Sequence, residues 1–371
     1  MYNAVICLGA GFNQIQYLRE LKKHKFKIIC IDRNQKNGGF YHANKRIICS
    51  THDHSKIVKI LKKKEFKKYK VKSVIAPTTG YPYKTAQILR KKYNLHHVDK
   101  KKLELLIDKK KLRKKLNKIK CSKISILNPK KILKKNFTPM VVKPRYNGTG
   151  GKGVKIIKKY KNFKNLTNLK NKNLFVFEKF IFGRELAVDL IWDKNKIKFL
   201  NTGWHIYKNK KIIGATSQLI EKKIINSLKK KIIKICKDFN FQREVINIDA
   251  IVDKEKKIHI IEFEFVPHEG IYLSKECFNY NLVKNYISCY LNKKIDTQSF
   301  RRKEAFVSVI KKEDYAKSKR YLKKKKNNFN FFKYQKNIKN PKNFIFEAVS
   351  VKKNFKIESI LNTYYKNLKL C

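Results

Sequence analysis

A chain of 371 residues with 42% hydrophobic content, 13 Gly and 7 Pro is long enough for two or three packed domains, and its regular runs of Ile, Leu, Val and Phe argue against intrinsic disorder. The 92 Lys and Arg against 27 Asp and Glu, +65 at neutral pH, raise the question of an acidic partner, but only 11 of those bases are Arg, the side chain that grips phosphates and guanine edges bidentately. Lys is spread evenly alongside Asn, Ile, Phe and Tyr, so the charge reads as compositional background and a nucleic-acid partner is disfavoured.

No stretch reaches the roughly 18 to 20 apolar residues of a membrane helix, and the opening MYNAVICLGAGFNQIQYL has neither the basic start nor the cleavage site of a signal peptide. The eight Cys lie singly, which points to reduced, buried thiols and a cytoplasmic setting. His52-x-His54 and His96-His97 have no neighbours resembling a zinc site.

Along the chain, strands at Asn3–Leu8, Lys27–Ile31, Arg46–Cys49 and Val71–Ala76 alternate with helices at Gln14–His24, Ser55–Lys67 and Tyr83–Tyr93. That alternation predicts a parallel, doubly wound unit over about 1–100. Lys100–Asn117 reads as one basic helix. From there short strands dominate: Met140–Lys143, Val154–Ile157, Leu174–Phe177, Glu185–Trp192, Lys196–Asn201, Val245–Val252 and Ile258–Phe265, interrupted by an amphipathic helix at Glu221–Phe239. The tail beyond 300 is lysine-rich, with strand-like runs at Ala305–Ile310 and Asn343–Val351 and a solvated loop around Lys323–Lys326. The fold class is therefore α/β plus α+β, with units at 1–100, 101–300 and 301–371.

Four segments bear chemistry. Gly9-x-Gly11-x-x-Gln14 follows a strand, and Asp32 closes the next one; a dinucleotide fingerprint wants Gly or Ala where Gln14 stands. Lys143 ends an apolar strand that runs into Gly148-Thr149-Gly150-Gly151-Lys152-Gly153, where four of six residues are Gly; such a loop exposes successive N–H groups to an anion. Phe175–Glu185 runs an apolar strand into a turn, with Glu178 and Glu185 seven residues apart. Its flat wall and backbone suit an adenine edge, and a carboxylate nearby suits the ribose hydroxyls.

Finally, Asn247 and Asp249 on one strand face Glu262 and Glu264 on the next. If Asp253 and Ile258 close a four-residue hairpin loop, Asp249 pairs with Glu262 and Asn247 with Glu264, while Ile258 and Ile260 share the acids' face. Facing carboxylates destabilise a sheet unless something neutralises them, and hard oxygens at that spacing suit Mg²⁺ carrying nucleotide phosphates.

In this order the segments resemble the ATP-grasp superfamily of carboxylate–amine ligases, over roughly residues 1–300. The resemblance implies a Rossmann-like pre-ATP-grasp domain, a two-lobed ATP-grasp fold (about 115–177 and 178–300) and a small C-terminal domain. It implies ATP with Mg²⁺ or Mn²⁺ as cofactors, and small-molecule carboxylate and amine substrates joined through an acylphosphate. Residue by residue, it implies that Lys109, in Ile107-Asp108-Lys109, and Lys143 contact phosphate, and that Gly148, Thr149, Gly150, Gly151 and Gly153 cover it. Glu178, Phe180 and Ile181 would hold adenine, Glu185 the ribose, and Asp249, Glu262 and Glu264 the metal, with Lys143 and Glu262 catalytic.

The Gly9, Gly11, Gln14 turn would face substrate, together with Thr78, Thr79 and His268. Many members read Glu-x-Asn-Pro-Arg where this chain reads Glu262-Phe263-Glu264-Phe265-Val266. Two alternatives stand beside the ligase: an NAD(P)-dependent oxidoreductase built on Gly9-x-Gly11, and an ATP-binding protein without strong turnover. Association into a homo-oligomer is left open.

Overall fold

The computed structural model describes residues 1–146, 153–167, 172–208, 211–217, 220–267, 270–298, 304–311, 320, 329–333 and 344–351. The first unit is a four-stranded parallel sheet of β1 (Tyr2–Leu8), β2 (Lys27–Asp32), β3 (Lys45–Ile48) and β4 (Tyr69–Ile75), in the order β3-β2-β1-β4. Helices α1 (Ile15–Lys22) and α2 (His54–Leu61) connect β1 to β2 and β3 to β4, and α3 (Pro82–Lys92) follows β4. Ala4 to Leu8 are fully buried, as a central strand covered on both faces must be, which is why β1 reads as an unbroken apolar run.

The basic stretch after residue 99 is two helices, not the single one expected from its composition: α4 (Lys100–Ile107) and α5 (Lys109–Lys118). Asp108 breaks them apart because its carboxylate caps α5, accepting the N–H groups of Lys110 and Lys111 at 3.0 and 3.1 Å. A small three-stranded lobe follows, with β5 (Met140–Pro144) between β6 (Lys155–Ile157) and β7 (Phe175–Lys179), backed by α6 (Tyr160–Thr167). Met140, Val142, Ile157 and Phe177 form its core, leaving Lys143 and Glu178 on the opposite face.

The large sheet has eight strands. β8 (Gly183–Asp193), β9 (Lys196–Lys208), β10 (Lys211–Thr216), β11 (Arg243–Asp253) and β12 (Ile258–Glu264) are joined by the tail strands β13 (Ala305–Lys311), β14 (Phe329–Lys333) and β15 (Phe344–Val351) in the order β12-β11-β8-β9-β10-β13-β15-β14. Helix α7 (Lys222–Asp238) covers one face through Ile224, Leu228, Ile232 and Ile235.

Two further helices, α8 (Gly270–Phe278) and α9 (Leu282–Tyr290), were not expected. On α9, Leu282, Val283 and Asn285 through Cys289 are all buried, so the segment carries no polar face for a periodicity argument to detect. Helix α9 packs with α1 while α8 lies against strands of the large sheet, bringing the first unit onto that sheet. Tyr83 completes that junction, stacked on Phe265 at 3.7 Å between ring centroids and donating its hydroxyl to the buried Glu244 at 3.1 Å. Among the described residues no helix is long and apolar enough to cross a membrane, and the seven cysteines are buried and unbonded.

The β11–β12 hairpin carries a correction. Its turn closes at Val252 and Ile258 rather than Asp253 and Ile258, yet Asp249 still pairs with Glu262 and Asn247 with Glu264. A β-bulge reconciles the two: Ile261 is an extra residue in β12 between the pairs Ala250–Ile260 and Asp249–Glu262. The bulge also resets the alternation. Ile258 and Ile260 lie in the core with Phe263 and Phe265, not on the acids' face as simple period-two counting predicts.

Candidate active site

The site begins with Lys143, brought by β5 to the inner face of the small lobe and only 5% exposed. Its Nζ lies 2.9 Å from Glu178 Oε2, and Arg113 Nε donates to the other carboxylate oxygen at 2.8 Å. Burial lowers the Lys143 pKa, an effect the Glu178 carboxylate only partly offsets. Burial alone would raise Glu178, but Lys143 and Arg113 more than compensate and hold it below its usual range.

Asp108 ties the lobe to α5. Beyond its capping bonds, its carboxylate takes Arg145 bidentately, at 2.9 and 2.6 Å, and the Tyr146 hydroxyl at 3.1 Å. This fixes Lys109, the next residue, whose ammonium reaches the Glu262 carboxylate on the large sheet. Lys109 and Lys143 together bring Glu262 below its usual range against the opposing pull of burial. The residues Lys109, Lys143, Glu178 and Glu262, predicted from four separate segments, therefore meet as one charged network.

On the large sheet His205 sits between two more predicted acids, its Nδ1 3.7 Å from Glu185 and its Nε2 4.0 Å from Asp249. The Tyr207 hydroxyl also donates to Glu185. Burial would raise Glu185, but the nearby His205 imidazole and the Tyr207 hydroxyl lower it overall. Glu264 lies one pleat step from Glu262, opposite Asn247, which donates to the buried Asp189 at 3.0 Å. Among the described residues no three His, Cys, Asp or Glu side chains are gathered into a metal-binding group, so Asp249, Glu262 and Glu264 stand as a facing pair plus a neighbour.

Between the lobes, the Phe180 N–H donates to Pro139 O at 2.9 Å, and Phe182 is 59% exposed with its ring edge-on to that of Phe180, 4.9 Å away. Ile181 lies in this connection, half-buried, two residues before β8. Of the glycine loop, Gly148, Thr149, Gly150 and Gly151 lie outside the described residues, as does His268. Gly153 is described, with φ +80° and no room for a Cβ, which would meet Pro144 Cγ at 2.8 Å.

The N-terminal turn is filled by its own helix. The Gln14 side chain lies over Gly9 (φ +109°) and Gly11 and donates to Pro77 O at 2.7 Å, beside Thr78 and Thr79. Asp32 spends its carboxylate on the N–H groups of Ala10 (2.8 Å) and Asn34 (3.0 Å). A dinucleotide would need its pyrophosphate where Gln14 lies and its ribose on a carboxylate already engaged, which disfavours the oxidoreductase.

Sequence reasoning missed Arg113, Asp189 and Tyr207, and it did not single out His205 as a site residue. None of these sits in a motif; strand register alone places His205 across from Glu185. Arg113 carried a faint signal as one of few Arg in a lysine-rich chain.

Residues 106–264 match the family described as the ATP-grasp domain. No curated protein matches the chain. Among solved structures, N5-carboxyaminoimidazole synthetase from Staphylococcus aureus complexed with ADP superposes with a TM-score of 0.79 at 16% identity, covering 99% of this chain and 97% of that one. Phosphoribosylglycinamide synthetase from Anaerococcus prevotii gives 0.71 at 15% identity over 99% and 98%, and L-amino acid ligase from Bacillus licheniformis 0.73 at 11% over 100% and 98%. The shared fold spans the whole chain, and the matched segment, residues 106–264, is an ATP-grasp domain that holds Lys109, Lys143, Glu178, Asp249 and Glu262.

Proposed function

We propose that the cleft between the lobes binds ATP with a divalent cation and uses it to activate a small-molecule carboxylate for attack by an amine. The observation that carries this reading is the convergence of Lys109 and Lys143 with Glu178 and Glu262. Cations for a triphosphate and acids for its metal lie in one network between two sheets.

Lys109 and Lys143 neutralise the phosphates, and Gly148, Thr149, Gly150, Gly151 and Gly153 fold over them. Phe180 and Ile181 take the adenine beside Glu178, and Glu185, oriented by Tyr207 and His205, takes the ribose. Asp249, Glu262 and Glu264 would hold Mg²⁺ or Mn²⁺. Their hard oxygens fit it, and the Lys109 ammonium on Glu262 shows the position accepting a positive charge. Mg²⁺ commonly uses one or two protein carboxylates and completes its shell with phosphate oxygens and water, so two facing acids suffice. When bound, the cation would supply further charge neutralisation at the reacting phosphoryl group.

The substrate carboxylate attacks the γ-phosphate, ADP leaves, and the amine displaces phosphate from the acylphosphate. Protein groups position the reactants and exclude water until the amine arrives. Gly9, Gly11, Gln14, Thr78, Thr79 and His268 line the substrate side. The superposed proteins are themselves named as synthetases and a ligase of small molecules, which fits this class. A cytoplasmic setting accords with the buried, unbonded thiols.

The test is ADP release by purified protein with Mg·ATP against pools of carboxylates and amines. Stimulation by one carboxylate–amine pairing is expected. Tight ATP binding with silence from every pool would identify an ATP-binding protein without turnover, in line with Glu264 and Val266; failure to bind ATP would remove the reading.

A further inference from the structure

Arg113 is 1% exposed and makes four hydrogen bonds from one guanidinium. Nε donates to Glu178 Oε1 at 2.8 Å and Nη1 to Ser122 Oγ at 2.9 Å; Nη1 also donates to Ile260 O, and Nη2 to Ile261 O at 2.6 Å. Successive carbonyls of a regular strand point in opposite directions, so one planar fork reaches two in a row only where the strand is distorted. Here the distortion is the bulge at Ile261, the residue immediately before Glu262. With this sequence the bulge is what allows Ile258 and Ile260 to stay in the core while Glu262 faces Asp249.

We infer that Arg113 is a positioning residue of the nucleotide site: a single guanidinium clamps the bulge carbonyls and the Glu178 carboxylate, and so sets Glu262 at a fixed distance from the Lys143–Glu178 pair. The inference rests on the nucleotide reading above and adds how its two halves are held in register. The small lobe contributes Glu178 and Lys143, the large sheet contributes Glu262, and α5 carries both the clamp and Lys109 four residues before it. Arg113 itself is buried behind these groups, with four of its five N–H donors engaged by protein oxygens.

The experiment measures ADP affinity with and without Mg²⁺ by calorimetry, and melting temperature, for the wild type and for Arg113→Lys. An ammonium keeps the charge beside Glu178 but cannot span two carbonyls and a carboxylate. The affinity gain that Mg²⁺ confers on ADP is expected to fall about tenfold or more in Arg113→Lys, with Mg²⁺-free ADP affinity within about threefold of the wild type. Deleting Ile261 attacks the clamp from the strand side while preserving the apolar alternation of β12, and reports independently if Arg113→Lys fails to fold; the same loss is expected. Ser122→Ala, which removes a partner remote from the bulge, should leave the Mg²⁺ gain unchanged. A Mg²⁺ gain within twofold of the wild type in a folded Arg113→Lys or Ile261-deleted protein overturns the inference. No ADP binding by the wild type would instead overturn the nucleotide reading.

Discussion

The ammonium of Lys109, at the first turn of α5, rests on the carboxylate of Glu262, 153 residues further along the chain. This contact closes the cleft side of the α5–β12 junction, and Arg113 closes the buried side. It also gives Glu262 a cationic neighbour that, with Lys143, holds its carboxyl below the usual range although it pairs across the hairpin with Asp249.

Glu262→Gln keeps an oxygen for Lys109 but removes the charge a metal needs. ADP formation should fall about 100-fold or more, with the melting temperature within a few degrees of the wild type. Undiminished turnover in this variant would take the metal role away from Glu262.

Lys143→Met preserves volume and deletes a buried charge. Arg113 still faces Glu178, so the expected destabilisation in urea is about 2 kcal/mol, below the roughly 3–5 kcal/mol of a fully uncompensated partner. Mg·ATP affinity should drop about tenfold or more in the same variant. Equal affinity would show that Lys143 serves the fold alone.

Glu178 is held below its ordinary value of 4.5, since Lys143 and Arg113 outweigh burial. The unfolded chain therefore binds this proton first as pH falls. The stability that Glu178 contributes is complete above pH 4.5 and is lost as pH drops through its folded value. Glu178→Gln should flatten the stability curve below pH 4.5 and lower its neutral plateau; an unchanged acid limb in chemical denaturation would contradict the pairing.

Gly153 combines a left-handed φ with a Cβ position 2.8 Å from Pro144. Gly153→Ala should cost about 1–2 kcal/mol in thermal or urea unfolding, and it should weaken ATP binding by stiffening the loop's return into β6.

Tyr83 offers a graded test of the junction between the first unit and the large sheet. Tyr83→Phe removes the donor to buried Glu244 and should cost about 1 kcal/mol, whereas Tyr83→Leu also loses the stack on Phe265 and should cost about 2–4 kcal/mol. Equal losses in the two variants, read from urea midpoints, would mean that the stack contributes nothing.

The sequence by itself determined the parallel first sheet, because β1 and β2 are unbroken apolar runs separated by an amphipathic helix. It also placed the candidate site residues: Lys143 ends an apolar strand beside a glycine-rich loop, and Asp249 and Glu262 sit at facing positions of a hairpin. These are local signals, written by alternation and spacing within a few residues. The tertiary structure decided the rest. Helix α9 is buried nearly all round, so no periodicity marked it. The turn of the β11–β12 hairpin shifted by one residue, and the bulge at Ile261 restored the pairing, a compensation that depends on the core accepting Ile260 and Phe263 and on Arg113 reaching both carbonyls. His205 found Glu185 and Asp249 only through the order of β9, β8 and β11. Contacts between residues far apart in sequence arise from packing, which no short window of the chain can specify.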